Sequence, residues 1–146
     1  MERFEDERDA VEKRPRRAIV WMAVTYWCVW VVFTHWPKIE LPVISNIRLD
    51  KVGHFGGYSV LAFLLAMLVA IYWRGGLRLT RRDAVGVWLV IAVGGILDEW
   101  TQPYFGRSFE WGDYAADLLG GLCGLAIAAA VLSYRRSLHR AAAASS

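Results

Sequence analysis

Four runs of apolar residues, at about 18–34, 52–73, 84–102 and 114–134, constrain this chain more than any other feature. Each is close to the roughly 20 residues an α-helix needs to cross the hydrocarbon core of a bilayer. There a backbone N–H or C=O finds no water, so a crossing segment must satisfy its own hydrogen bonds, as a helix does. The first run is the shortest, and tilt or flanking tryptophans extend it. The connections are Pro-containing at 35–50, Arg- and Gly-rich at 74–83 and mixed at 103–112. The expected fold is all-α, an integral membrane bundle of four transmembrane helices.

Composition supports this class and excludes others. Hydrophobic residues make up 56% of the 146, and 8 Trp are more than a soluble domain of this size carries. A disordered chain is excluded. Two cysteines exclude a disulfide-stapled scaffold. Cys28 and Cys123 lie inside apolar runs and read as inert buried thiols. The chain divides into a charged segment at 1–17, the bundle at 18–134 and a tail at 135–146, basic and then Ala/Ser-rich, expected to fray. The start is long and acidic, and no small-residue cleavage site follows the first run. That run therefore reads as a retained helix rather than a secretory signal.

Charge placement sets the expected orientation. Thirteen of the 17 Lys and Arg lie in the N-terminal segment, the 74–83 connection and the tail; the other four are Lys38, Arg48, Lys51 and Arg107. The positive-inside rule then puts both termini in the cytoplasm and the connections at 35–51 and 103–112 outside. Trp36, Trp100 and Trp111 fit an outer aromatic belt; Trp21, Tyr72 and Trp73 fit an inner one. No basic stripe runs along a polar helix, so no nucleic-acid partner is expected.

The expected outer end is where polar residues gather. The second helix opens with Asp50, Lys51 and His54; the third closes with Asp98, Glu99 and Gln102; the fourth opens with Asp113 and Asp117. Arg107 and Glu110 lie in the loop between the last two. The pairs Asp50/His54, Asp98/Gln102 and Asp113/Asp117 are four residues apart, which puts each pair on one helix face. At 1.5 Å of rise per residue, His54, Asp98 and Asp117 each lie roughly 6 Å inside their helix ends. Ionisable groups at that depth normally face a bundle interior or a wet cavity. The pattern predicts an outward-opening polar pocket among the second, third and fourth helices.

Plainer roles stand beside these. Asp50 and Asp113 occupy positions suited to helix N-caps. Lys51 suits an interfacial anchor, Arg107 a solvated loop charge, and His54 a satisfied buried histidine. Gly53/Gly57 and Gly120/Gly124 are G-x-x-x-G pairs that would draw the second and fourth helices together, with Gly94 and Gly95 doing the same for the third.

The ordered set Asp50-Lys51-x-x-His54, Asp98-Glu99-x-x-Gln102 with Arg107, and Asp113-x-x-x-Asp117 before a glycine-rich helix resembles the VanZ-like family. The likeness covers about residues 48–128. The family often has Asn at or one turn beyond the position of Asp117. The resemblance implies a bacterial inner-membrane protein with an envelope role, the family being named for a membrane protein linked to teicoplanin resistance. It supplies no mechanism.

Two functions of different class fit. In the first, the protein is an enzyme on a lipid-linked or phosphorylated envelope precursor. His54, Asp98 and Glu99 would be catalytic, with His54 a general acid or base oriented by Asp50 or Asp98. Asp50, Lys51, Gln102, Arg107, Asp113 and Asp117 would bind substrate, with Lys51 and Arg107 on its anion. Asp98, Glu99 and Asp117 would suit Mg²⁺ or Mn²⁺. In the second, the same pocket binds a membrane lipid headgroup or a lipophilic glycopeptide without catalysis. A transporter fits less well, because four helices with no visible repeat give little room for alternating access.

Overall fold

The computed structural model describes residues 2–36, 43–44, 47–74 and 76–145. Lys38 and the side chains of residues 2–16 and of Arg48, all used in the charge count, lie outside the described residues. Four long helices form where the apolar runs predict them: α1 (Glu2–Thr34), α2 (Leu49–Leu68), α3 (Arg81–Thr101) and α4 (Trp111–Ala144). Each contains a stretch long and apolar enough to cross a membrane. The short strands Val43–Ile44 and Ile47–Arg48 pair antiparallel ahead of α2. Helix α1 includes most of the charged segment, and α4 runs through the tail that was expected to fray.

Local chemistry sets the helix ends. Helix α3 starts at a capping box in which the Thr80 hydroxyl accepts from Asp83 N and Asp83 Oδ2 accepts from Thr80 N, at 3.2 and 2.9 Å. Arg74 closes on Asp83 with two bonds, at 2.6 and 3.1 Å. At its far end α3 tightens into a 3₁₀ turn, Gln102–Phe105, at Pro103. Gly106, with φ of +75°, then turns the chain toward α4. Helix α2 ends in a π-helical turn, Val69–Trp73.

Helix α2 is the hub. It packs on α4 most extensively and also on α1 and α3. The apolar core follows it down the bundle: Tyr58, Leu61 and Ala62 with Ile91, then Ala66 with Val87, Leu125 and Ala128, then Met67 and Ala70 with Leu132. Side chains such as Val29, Leu89, Val93 and Leu122 are exposed, as contact with lipid requires. Cys28 is among the exposed residues, contrary to its reading as a buried thiol, because α1 turns that face away from α2.

Close approach between membrane helices relies on small residues rather than hydrophobic drive. Gly120 and Gly124 are those residues: a Cβ on either would fall onto the backbone of α2, at Phe55 O and Ser59 O. The partner pair on α2 acts differently from the expectation. Gly53 has open space around it, and Gly57 receives the ring of Trp30 from α1. Tyr26 adds a 2.8 Å bond from its hydroxyl to Gly57 O. Gly95 lies against Asp117 and Tyr114 of α4, while Gly94 is open.

Trp30 is boxed in by Phe33, Tyr58 and His54, with ring centroids 5.6, 6.0 and 6.1 Å away. A methyl group at position 57 therefore has no easy way to displace it. Gly57→Ala is expected to destabilise the protein by about 1–3 kcal/mol, the usual cost of overpacking. The check is a thermal melt in detergent followed by tryptophan emission.

Candidate functional site

The C-terminal ends of α1 and α3 and the N-terminal ends of α2 and α4 share one end of the bundle. Among the described residues, every buried polar or charged one belongs to this end: Thr34, His54, Asp98, Glu99, Gln102, Asp113 and Asp117. Exposed Trp36, Trp100 and Trp111 surround it, while exposed Trp21, Tyr72 and Trp73 mark the other end, as the two aromatic belts predict.

His54 is the centre of the larger network and is only 4% exposed. Its Nδ1 lies 2.9 Å from Asp117 Oδ1. With Asp117 ionised its oxygen can only accept, and the ring N–H then donates there. Glu99 Oε1 is 3.8 Å from the same nitrogen, and Asp113 Oδ2 is 4.0 Å from Nε2. Glu99 is itself held on both oxygens, by Gln102 Nε2 and by the backbone N–H of Glu110, each at 2.9 Å. Lys51 closes the network on its shallow side, with Nζ 2.6 Å from Asp113 Oδ1 and 3.2 Å from Glu110 Oε2. The edge of Trp30 covers the imidazole from α1.

The four-residue spacing brings Asp113 and Asp117 to His54 from one face of α4, as expected. Asp113 is not an N-cap: α4 begins at Trp111 with Glu110 before it, so Asp113 points inward from the first turn. Asp50, in the first turn of α2, is half-buried and accepts from Lys51 N at 2.9 Å.

Asp98 goes elsewhere. Successive helix residues differ by about 100° in direction, and Asp98 faces α1 while Glu99 faces the histidine. Thr34 donates to Asp98 Oδ1 at 2.8 Å, and His35 Nδ1 lies 3.5 Å from that oxygen. His35 Nε2 meets the Thr101 hydroxyl at 2.8 Å, and Arg107 donates to Thr34 O at 2.9 Å. Three differences from the sequence reading follow. Asp117, rather than Asp50 or Asp98, orients His54. The side chains that converge as possible metal ligands are His54, Glu99 and Asp117, whose donor atoms lie within 4.8 Å of one another, rather than the trio with Asp98. A shallower trio is Asp50, Glu110 and Asp113. Lys51 and Arg107, expected to share one anion, are engaged in different networks.

Sequence reasoning passed over Thr34, His35 and Trp30 as parts of the site, and named Glu110 at the same end without a role. A signal existed for the first two, since Thr34-His35 ends an apolar run at the same depth as the other polar groups. Nothing in the sequence marks Trp30 out from its neighbours.

The Lys51 pair has a measurable consequence. Asp113 is buried, with its side chain 3% exposed, while Lys51 remains 34% exposed. Lys51→Met removes the cation from a carboxylate that water reaches poorly. The expected loss is about 2 kcal/mol, typical of a hydrogen bond to a charged group, read as a lower melting temperature. No shift would mean that Asp113 finds water instead.

Comparison with protein families shows that the model described as VanZ/LLP1 matches residues 15–132. No curated protein and no solved structure is significantly similar to the chain.

Proposed function

The chain belongs to the VanZ/LLP1 family, and from that premise we propose that it acts on a lipid-linked or phosphorylated cell-envelope precursor, with His54 as the proton-transfer group. The observation that carries this reading is the buried imidazole fixed at Nδ1 by Asp117 and flanked by Glu99 and Asp113. A histidine held in one orientation by a carboxylate is suited to general acid–base work. Lys51, at the shallow edge of the same network, is the cation available to a phosphate arriving from the interface.

The bias of Lys and Arg toward the opposite end supports an outward-facing site, with both termini in the cytoplasm of a bacterial inner membrane. Precursors of the envelope and lipophilic glycopeptides such as teicoplanin meet that side. Altered teicoplanin susceptibility is accordingly the phenotype this reading expects.

His54, Glu99 and Asp117 would also hold a divalent cation, and a nitrogen among the donors suits Mn²⁺ better than Mg²⁺. Such an ion would supply charge to a developing oxyanion. Adding Mn²⁺ to chelator-treated protein tests this: a raised melting temperature that Glu99→Gln abolishes assigns a bound cation. An unchanged melt leaves His54 to act through its carboxylates alone.

The functional test is complementation of a strain lacking the gene, scored by envelope integrity and teicoplanin susceptibility. His54→Ala, Glu99→Gln and Asp117→Asn should express in the membrane and fail together. Asp98→Asn and Arg107→Ala, in the second network, should follow a separate pattern. Full complementation by His54→Ala would overturn the proposal.

A further inference from the structure

The second polar network at this end of the bundle contains a hydroxyl aimed at an imidazole. His35 directly follows α1, and its Nε2 lies 2.8 Å from the hydroxyl of Thr101, the last residue of α3. Its Nδ1 lies 2.9 Å from Val31 O, which can only accept, so Nδ1 carries the ring proton. A neutral ring then has a bare Nε2, and the Thr101 O–H donates to it. The carbonyls of Leu97 and Asp98, 2.8 and 3.0 Å from the same hydroxyl, take its proton when Nε2 is protonated. Asp98 Oδ1 stands 3.5 Å from Nδ1, and an edge-on contact with Phe105, centroids 4.8 Å apart, steadies the imidazole.

A hydroxyl within hydrogen-bond reach of a base that other groups orient is the arrangement of an activated nucleophile. Such a set is recognised by geometry and not by order in the chain. Thr101 is partly exposed. With His35 and Asp98 it forms the polar end of an apolar groove of about 1180 Å³ between α1 and α3, floored by Tyr58, Leu61 and Leu65 of α2. Arg107 is anchored to both sides of the pair. Its guanidinium donates to Thr34 O, beside His35 in the chain, at 2.9 Å, and its backbone N–H donates to Gln102 O, beside Thr101, at 3.3 Å.

We propose that Thr101 and His35 are a second catalytic site, the nucleophile and general base of an esterase that cleaves long-chain acyl esters of membrane lipids. The Asp98 carboxylate repels a phosphate here but not a neutral ester carbonyl. With that carbonyl at Thr101, the acyl chain continues along the apolar wall. Thr101 Oγ attacks the carbonyl carbon while its proton passes to His35 Nε2. The charged ring is faced by Asp98 and by the negative end of the α1 dipole. The tetrahedral oxyanion is the task of Arg107, which has further N–H groups beyond the one on Thr34 O. Collapse breaks the bond from carbon to the alcohol oxygen, and Nε2 returns the proton to that oxygen. Water, giving a proton to Nε2, then attacks the acyl-threonine. The products are the fatty acid and a restored Thr101 hydroxyl.

The test uses the full chain, purified in dodecyl maltoside and treated with hexadecyl or ethyl fluorophosphonate, which a nucleophilic hydroxyl captures with loss of fluoride. The adduct is read by intact mass and placed by peptide mapping. Hexadecyl fluorophosphonate should modify Thr101, and by roughly tenfold or more faster than the ethyl reagent, a ratio that burial of about two CH₂ groups supplies. Thr101→Val should remain unmodified and Thr101→Ser should react. His35→Gln should slow modification by about 10²–10⁴-fold, the usual contribution of a positioned base, with a melting temperature near that of the wild type. Release of nitrophenol from p-nitrophenyl palmitate should follow the same order among the variants.

His54→Ala should be modified at the wild-type rate, so failure of the proton-transfer proposal and failure of this one are distinguishable. An unmodified Thr101 in folded wild type overturns the proposal. So does an adduct that forms equally fast in His35→Gln. Equal rates for the two reagents overturn the assignment of the groove to the acyl chain.

Discussion

Gly124→Val should leave little folded protein in the membrane, the largest effect expected of any single substitution here. A Cβ at this position lands on Ser59 O and close to Ser59 C and Phe63 N, at 2.9 and 3.0 Å from the last two. These are backbone atoms of α2, which cannot rotate away as a side chain can. The two helices must separate instead, and the contact they lose is the most extensive in the bundle. Overpacking typically costs about 1–3 kcal/mol. A backbone obstruction between two hub helices is expected at or above the top of that range. The reading is the amount of protein in the membrane fraction and its melting temperature. Gly53→Ala is the control, because nothing lies within 4 Å of its Cβ and alanine favours helix over glycine by about 1 kcal/mol. Wild-type melting of Gly124→Val would show that α2 and α4 do not pack in this way.

The second large effect concerns turnover. His54→Gln and Asp117→Asn should each lower the rate on a lipid-linked phosphate in reconstituted vesicles by about 10²–10⁴-fold, the usual contribution of a positioned acid or base. The double variant should cost little more than the worse single one, because groups acting as a unit are strongly non-additive. Multiplying losses would assign the two residues to separate tasks. Asp98→Asn should cost less than either, since its bonds run to Thr34 and away from the histidine.

The four helices were legible because the bilayer imposes one length and one composition on every crossing segment. The depth of His54, Asp98 and Asp117 was legible too, since rise per residue is fixed. Helix rotation was not. Whether Asp98 or Glu99 faces the histidine depends on how α3 rolls against α2 and α4, and packing at Gly95 and Gly121 decides that. The same holds for the glycines of α2: a G-x-x-x-G spacing says that a close contact is possible, not which neighbour makes it. Gly57 receives a tryptophan from α1, and Gly53 receives nothing. The fourfold spacing of Asp113 and Asp117 succeeded because both partners lie on one helix, where geometry leaves no freedom.

The main partner of α2 is α4, two helices further along the chain, and this has a consequence for biosynthesis. The nascent protein delivers α2 to the bilayer long before α4, so His54 enters without the carboxylates of Asp113 and Asp117. Polar groups in hydrocarbon are costly until they pair, and the glycine seam on α4 has yet to arrive. A bundle of α1, α2 and α3 alone would therefore lack the most extensive helix–helix contact of the fold. Assembly of this contact waits until α4 has been made, and the α4-facing side of α2 stays uncovered until then.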